Sequence, residues 1–197
     1  HDNGSIVTDE LVMANTINKF FMKSVTDTVK DQRKNTKSIQ FSSVPYSFVL
    51  EDADENEVAT IIKSLKNCAA GYDEINSTDV KELCKELCPM LCHLINSIIR
   101  KGKYPNAFKF ATVTPISKSG NSNELNDLRP ISILSTFNKI TEKFLYSRLT
   151  NYINKNNLIS SNQFGFRPKS STETAALEVV SKIKKYLEKK KIVSIVF

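Results

Sequence analysis

Lys118 and Arg129 are the two side chains of this 197-residue chain whose setting most suggests chemistry. Lys118 follows Thr114-Pro115-Ile116-Ser117 and precedes Ser119-Gly120, while Arg129 lies in Leu128-Arg129-Pro130-Ile131-Ser132-Ile133. A polar, glycine-containing stretch separates two β-branched runs, so the pattern predicts a hairpin with one cation on each arm near the tip. An ammonium and a planar guanidinium together suit the oxygens of a phosphate group. The same arginine can equally be held in an ordinary salt bridge.

A second group is Gln163-Phe164-Gly165-Phe166-Arg167-Pro168, just ahead of Ser170–Thr172 and a helical pattern. Two aromatic rings, a glycine and an arginine before a helix N-terminus can stack a base and hold a phosphate. Phe164 and Phe166 in such a setting are more often core residues, and Arg167 can be tied up in an ordinary salt bridge. Residue chemistry alone therefore supports phosphate or nucleic-acid binding and nothing narrower.

The four cysteines are Cys68, Cys84, Cys88 and Cys92. The last three recur every fourth residue among Leu83, Leu87, Leu91 and Leu94, with His93 adjacent. Paired C-x2-C spacing is absent, so they read as small core hydrophobes rather than zinc ligands.

These groups need a scaffold. Residues 8–30 read as a helix capped by Thr8, with Met13, Ile17, Phe20, Phe21 and Val25 on its apolar side. Asp54 and Glu57 suggest a capping box ahead of Val58, Ile61, Ile62 and Leu65. A loop over Asn67–Asn76 turns at Gly71. Helix resumes at Ser77–Thr78, breaks or restarts at Pro89, and stops at Gly102 after Arg100. The predicted strands are Phe110–Ile116 and Leu128–Leu134. Ser135 or Thr136 then caps a helix with Phe137, Ile140, Phe144, Leu145, Leu149, Tyr152 and Ile153 inward. Ser170 and Glu173 form a second predicted capping box, for a helix to about Lys191 with Ala176, Val179, Val180, Ile183 and Leu187 inward. Ile192–Phe197 reads as a buried strand that ends without cap or turn, which suggests truncation.

Composition sets the bounds. Hydrophobic residues make up 40% and charged residues 25%, the balance of a globular chain rather than a disordered one. No apolar run approaches the ~18 residues that span a bilayer, and no secretory signal is visible, so no membrane partner and an intracellular setting (nucleus and cytoplasm, not secreted) are expected. The net charge of +7 is uneven: residues 1–99 hold 10 basic and 15 acidic residues, residues 100–197 hold 18 and 6. A half that basic calls for a polyanion or counterions, and nucleic acid is the commonest such partner. The run Lys182, Lys184, Lys185, Lys189, Lys190, Lys191 also fits a merely solvated helix face.

The order VTPISKSG, DLRPISIL, helix, ISSNQFGFRPKSSTETA, helix, IVSIVF resembles reverse transcriptases of non-LTR, jockey-like retrotransposons. Upstream, LKNCAAGYDEIN with Gly71, Asp73 and Ile75 resembles that family's pre-fingers segment. TDELVMANTINKFF resembles the stretch before its polymerase.

The resemblance implies an α+β, mostly helical fold: right-hand polymerase fingers with a small antiparallel hairpin and the first palm strand only. It implies a linker and N-terminal helix over 1–50, a helical pre-fingers region over 51–109, and fingers with the start of the palm over 110–197. Lys118 and Arg129 are then nucleotide-binding, and Gln163, Gly165, Phe166 and Arg167 contact template and nucleotide. The implied partners are RNA template, DNA primer and deoxynucleoside triphosphates. Mg2+ serves the complete enzyme, and this fragment binds none alone, because the metal-holding aspartates of the family lie beyond Phe197. The rest of the palm, the thumb and an endonuclease are absent, so the chain alone is expected to be inactive. The competing expectations are a non-catalytic nucleic-acid-binding remnant of a retroelement and an unrelated helical interaction protein.

Overall fold

The computed structural model describes residues 8–32, 47–120 and 124–194. It divides into two compact units, residues 1–148 and 149–197.

In the first unit, helix α1 spans Glu10–Gln32. Its cap is Asp9, whose carboxylate accepts from the Val12 N–H at 2.8 Å, rather than Thr8. Ile17, Phe20 and Phe21 are half-buried, while Met13 and Val25 stay exposed. Helix α2, Glu55–Lys63, begins as expected at Asp54, which accepts from the Glu57 N–H. The Glu57 carboxylate does not close the box but binds Arg148 at 2.8 Å.

Helix α3, Ser77–Glu82, is capped by Asn76, and helix α4, Cys84–Lys101, follows with one residue between. The break therefore falls at Leu83 and not at Pro89. Pro89 is the sixth residue of α4, so the bond it lacks leaves only the carbonyl of exposed Lys85 in the first turn for water to satisfy. Gly102, at φ +59°, ends α4 in the left-handed conformation, as the sequence predicts.

Strands β1, Ala111–Ser117, and β2, Leu128–Leu134, form an antiparallel hairpin with Ala111 opposite Leu134 and Ser117 opposite Leu128. This is the only sheet among the described residues. Pro115 faces Pro130 at its centre. Neither has an N–H to give, and the pair falls where each nitrogen points outward, so no ladder bond is lost. Helix α5, Thr136–Lys155, follows, with Ser135 accepting from the Asn138 N–H at 3.2 Å.

The core lies among α2, α3, α4 and the first half of α5. Val58, Ile62, Ile95, Ile140 and Phe144 are wholly buried. Cys84, Cys88 and Cys92 line it, which bears out their reading as core residues, whereas Cys68 is exposed. Burial first, and then the Cys84 thiol 3.7 Å away, push the Cys88 thiol up to about 11. It is thus a protonated, poorly reactive group at neutral pH.

In the second unit, helix α6 spans Thr172–Glu188. Its cap is Ser171, in a reciprocal box with Thr174, one residue later than the Ser170–Glu173 box predicted. A threonine hydroxyl at the third helical position takes the Ser171 N–H as well as a glutamate does. The helix ends short of Lys191, with Lys190 left-handed at φ +54°. Ile192–Ser194 are not a strand, which corrects the first-palm-strand expectation over those residues; 195–197 lie outside the described residues. A strand exists only where a neighbour completes its hydrogen-bond ladder, and these residues have none among the described residues. Nor does α6 bury the residues predicted to face inward: Ala176, Val179, Val180 and Leu187 are exposed and Ile183 is half-buried.

Candidate nucleotide-contacting site

The hairpin is held at its base and free at its tip. Gly71 packs against the end of β2 so closely that a Cβ there would lie 2.7 Å from the Ser135 nitrogen and 2.9 Å from the Leu134 carbonyl carbon. Glycine is needed for this approach and not for the turn, which Glu74 supplies at φ +60°. Thr136 donates to the Ile75 carbonyl at 2.8 Å, and Lys139 donates to that of Ala69 at 3.1 Å. Ahead of β1, buried Asn138 donates to the Phe108 carbonyl at 3.0 Å and accepts from the Tyr104 hydroxyl. Tyr72 donates to the Ala107 carbonyl and stacks edge-on against Phe110. Both ends of the ribbon are therefore fixed to the helical core.

At the tip, Asp127 is the organiser. Its carboxylate accepts from the Ser117 hydroxyl at 2.6 Å, the Ser119 hydroxyl at 2.7 Å and the Ser119 N–H at 3.3 Å. These bonds, Ser117 first and Ser119 next, hold its pKa below the ordinary carboxylate value, with a smaller pull from Lys118. The Gly120 N–H donates to the Ser117 hydroxyl, and Gly120 turns at φ +82°.

Lys118 leaves the end of β1 inside this knot. Its N–H donates to the Asp127 carbonyl at 2.8 Å and its ammonium to the Asn126 carbonyl at 2.5 Å. Arg129 is exposed and pairs in register with Ile116. The two cations thus stand two register positions from each other across the tip. Lys118 joins Pro115, Leu128 and Pro130 in lining an open cleft of about 920 Å3 against Ile17, Phe20 and Phe21 of α1. Strand alternation sets Arg129 on the face of Ile116 and Ile131, and Lys118, two residues past Ile116 and opposite Asp127, follows on that same face.

The second predicted group forms a loop in the 149–197 unit, braced on Ser160. The Ser160 carbonyl accepts from the Gln163 N–H at 3.1 Å and from the Arg167 guanidinium at 3.3 Å. The Gln163 amide reaches the Gly165 carbonyl at 3.5 Å. Gly165 has open space around it. Phe164 is half-buried, whereas Phe166 is fully exposed, at 106% of its reference area, and held at φ +62°. An aromatic residue in the left-handed region carries strain, so the fold keeps this ring in solvent at a cost.

Sequence reasoning passed over Asp127, Ser117, Ser119 and Ser160, the residues that brace these side chains. The legible signal was a Ser-Lys-Ser-Gly turn facing an aspartate ten residues from Ser117. Among the described residues, no three His, Cys, Asp or Glu side chains come together as a metal-holding group.

No protein-family model matches the chain. It is 29% identical over 133 residues to the Probable RNA-directed DNA polymerase from transposon BS of Drosophila melanogaster, covering 66% of this chain and 14% of that protein. It is 29% identical over 129 residues to the Probable RNA-directed DNA polymerase from transposon X-element of the same species, covering 64% and 14%. To the RNA-directed DNA polymerase from mobile element jockey, also of that species, it is 29% identical over 140 residues, covering 71% and 15%. The chain is homologous to retrotransposon RNA-directed DNA polymerases. The reverse transcriptase resemblance read from VTPISKSG, LRPISIL and QFGFRP is thereby supported by independent comparison. The chain spans about one seventh of the length of the curated relatives it matches. No helix among the described residues is long and apolar enough to cross a membrane.

Proposed function

We propose that this chain is the fingers side of an RNA-directed DNA polymerase, and that its hairpin tip holds the triphosphate of the incoming nucleotide. The observation that carries the reading is a ribbon anchored at its base and presenting Lys118 and Arg129 at its free end, in a chain homologous to such polymerases. Arg129, exposed, offers its planar fork directly. Lys118 joins it by exchanging the Asn126 carbonyl for a phosphate oxygen, a stronger partner for an ammonium.

In this reading residues 1–50 are the linker and N-terminal helix, 51–109 the helical support of the fingers, and 110–197 the fingers and palm entry. The Ser160-braced loop meets template and nucleotide, with Phe166 as a stacking surface and Arg167, Gln163 and Gly165 behind it. The substrates are an RNA template, a DNA primer and deoxynucleoside triphosphates. Mg2+ belongs to the complete enzyme. The described residues assemble no metal-holding group, so no step is assigned to a metal on this chain, and the isolated chain is expected to give no primer extension. The setting is intracellular.

The test is steady-state nucleotide incorporation by the polymerase that contains this chain. Lys118→Ala and Arg129→Ala should each raise KM for the nucleotide roughly tenfold to a hundredfold, the worth of one charge-assisted hydrogen bond. Affinity for the template–primer duplex should change far less. An equal loss of nucleotide and duplex binding overturns the assignment.

A further inference from the structure

The two cations at the hairpin tip have an acid between them. Asp127 stands opposite Lys118, whose N–H donates to the Asp127 carbonyl at 2.8 Å, and it lies two residues before Arg129 in the chain. A carboxylate so placed is a ready rival to phosphate, because an ammonium or a guanidinium pairs with either. The structure shows no such pair at Lys118. Its ammonium turns to a neutral acceptor, the Asn126 carbonyl, at 2.5 Å. Asp127 turns to the serines on either side of Lys118. Its Oδ2 accepts the Ser117 hydroxyl at 2.6 Å, the Ser119 hydroxyl at 2.7 Å and the Ser119 N–H at 3.3 Å. Those bonds, Ser117 first and Ser119 next, lower its pKa, and the pull of Lys118 is the weakest of the causes. The Ser117 oxygen is fixed in turn by the Gly120 N–H at 3.0 Å.

We propose that Ser117 and Ser119 are positioning residues for nucleotide use: they hold the Asp127 carboxylate on neutral donors and so keep the Lys118 ammonium available to phosphate. The inference rests on the reading of Lys118 as a triphosphate contact. An ammonium on a carbonyl keeps its net charge and exchanges that partner readily for a phosphate oxygen, whereas one on a carboxylate must first break an ion pair. Without the two hydroxyls, Asp127 loses its two shortest bonds and turns onto the lysine across from it. Serine suits this task because a hydroxyl donates without carrying charge. A lysine or arginine in its place would satisfy the carboxylate but would also draw the triphosphate to itself.

The test is steady-state nucleotide incorporation by the polymerase that contains this chain, read as KM against kcat. Ser117→Ala combined with Ser119→Ala should raise the nucleotide KM about twofold to fivefold, the effect of one solvent-exposed ion pair formed at Lys118, with kcat changed far less. Adding Asp127→Asn should bring KM back toward its starting value, because the rival charge is gone. A merely structural knot would be loosened further by that third change. A KM unmoved by the serine changes, or left raised after Asp127→Asn, overturns the proposal. Lys118→Ala with both serines intact separates the two readings. If it leaves KM unchanged, the nucleotide assignment itself falls, whereas a raised KM there beside an unmoved one in the serine variant strikes this proposal alone. A crystal structure of the double serine variant decides the matter without nucleotide. The Lys118 ammonium is expected within about 4 Å of an Asp127 carboxylate oxygen, and an ammonium still on the Asn126 carbonyl overturns the proposal.

Discussion

In the unit formed by residues 1–148, Val58, Ile62, Ile95, Ile140 and Phe144 are wholly buried. In the unit formed by residues 149–197, the seventeen residues of α6 include none that is buried. Both regions carry apolar residues at helical spacing, and both are capped by local side chains. What separates them is the number of neighbours. The α2, α4 and α5 stripes converge on one another, whereas α6 lacks a second apolar surface among the described residues. Amphipathic spacing states which face seeks cover and is silent on whether cover is present. The proposed nucleotide and template residues follow the same division. They stand on exposed tips and loops, and the buried unit supplies the rigid base that aims the hairpin.

The contrast can be broken most severely at Phe144. Phe144→Ala removes a ring with no solvent exposure, and ~3–5 kcal/mol should be lost in urea unfolding. Leu187→Ala in α6 of the monomeric chain should cost about 0.5 kcal/mol or less. Comparable losses at the two positions would erase the distinction.

The next largest effect concerns two glycines. Gly71→Ala forces a methyl into the Ser135 backbone and should cost about 1–3 kcal/mol, loosening the hairpin base. Gly165→Ala meets nothing within 4 Å and should change unfolding by about 0.5 kcal/mol or less. Equal destabilisation would show that the Ser160 loop is packed more tightly than its exposure indicates.

A smaller effect falls on the α6 cap. Ser171→Ala should cost ~1 kcal/mol, read as lost helicity near 222 nm, because the Thr174 N–H loses its acceptor. Ser170→Ala should change it little.

The smallest effect is electrostatic and confined to the hairpin tip. The folded-state pKa of Asp127 is depressed, so its contribution is fully present above the ordinary carboxylate value and is lost as pH falls through the depressed one. Faster amide exchange at Ser119 should appear only in that acidic range, and Asp127→Asn should show it at neutral pH. Protection unchanged by either would remove Asp127 as the organiser of the tip. Glu57 has the opposite sign. Burial raises its pKa despite the Arg148 partner, so its favourable share is present at low pH and fades as pH rises through the raised value.

Local signals made much of this architecture legible. Asp54, Gly102 and Ser135 mark helix ends through hydrogen-bond chemistry that spans three or four residues, and the alternating β-branched runs define the ribbon. Lys118 and Arg129 were found because cations flanking a turn are visible at short range. Gly71 reads as a turn residue in the sequence because its true constraint, contact with Ser135, lies 64 residues away in the chain and leaves no local mark. Pro89 predicts a break that α4 does not show, because a proline's damage depends on how far into the helix it falls. Ser171 displaced Ser170 because adjacent serines offer the same oxygen, and only the backbone of the preceding loop selects between them. The inward residues of α6 were placed by pattern alone, and pattern carries no information about a partner's presence.

The facing Pro115 and Pro130 give the ribbon a property of its own. Each outer margin lacks an amide hydrogen at its midpoint, so neither can template a third strand from a neighbouring molecule along its whole length. A two-stranded arm of this kind can stand in solvent with both margins interrupted against strand addition.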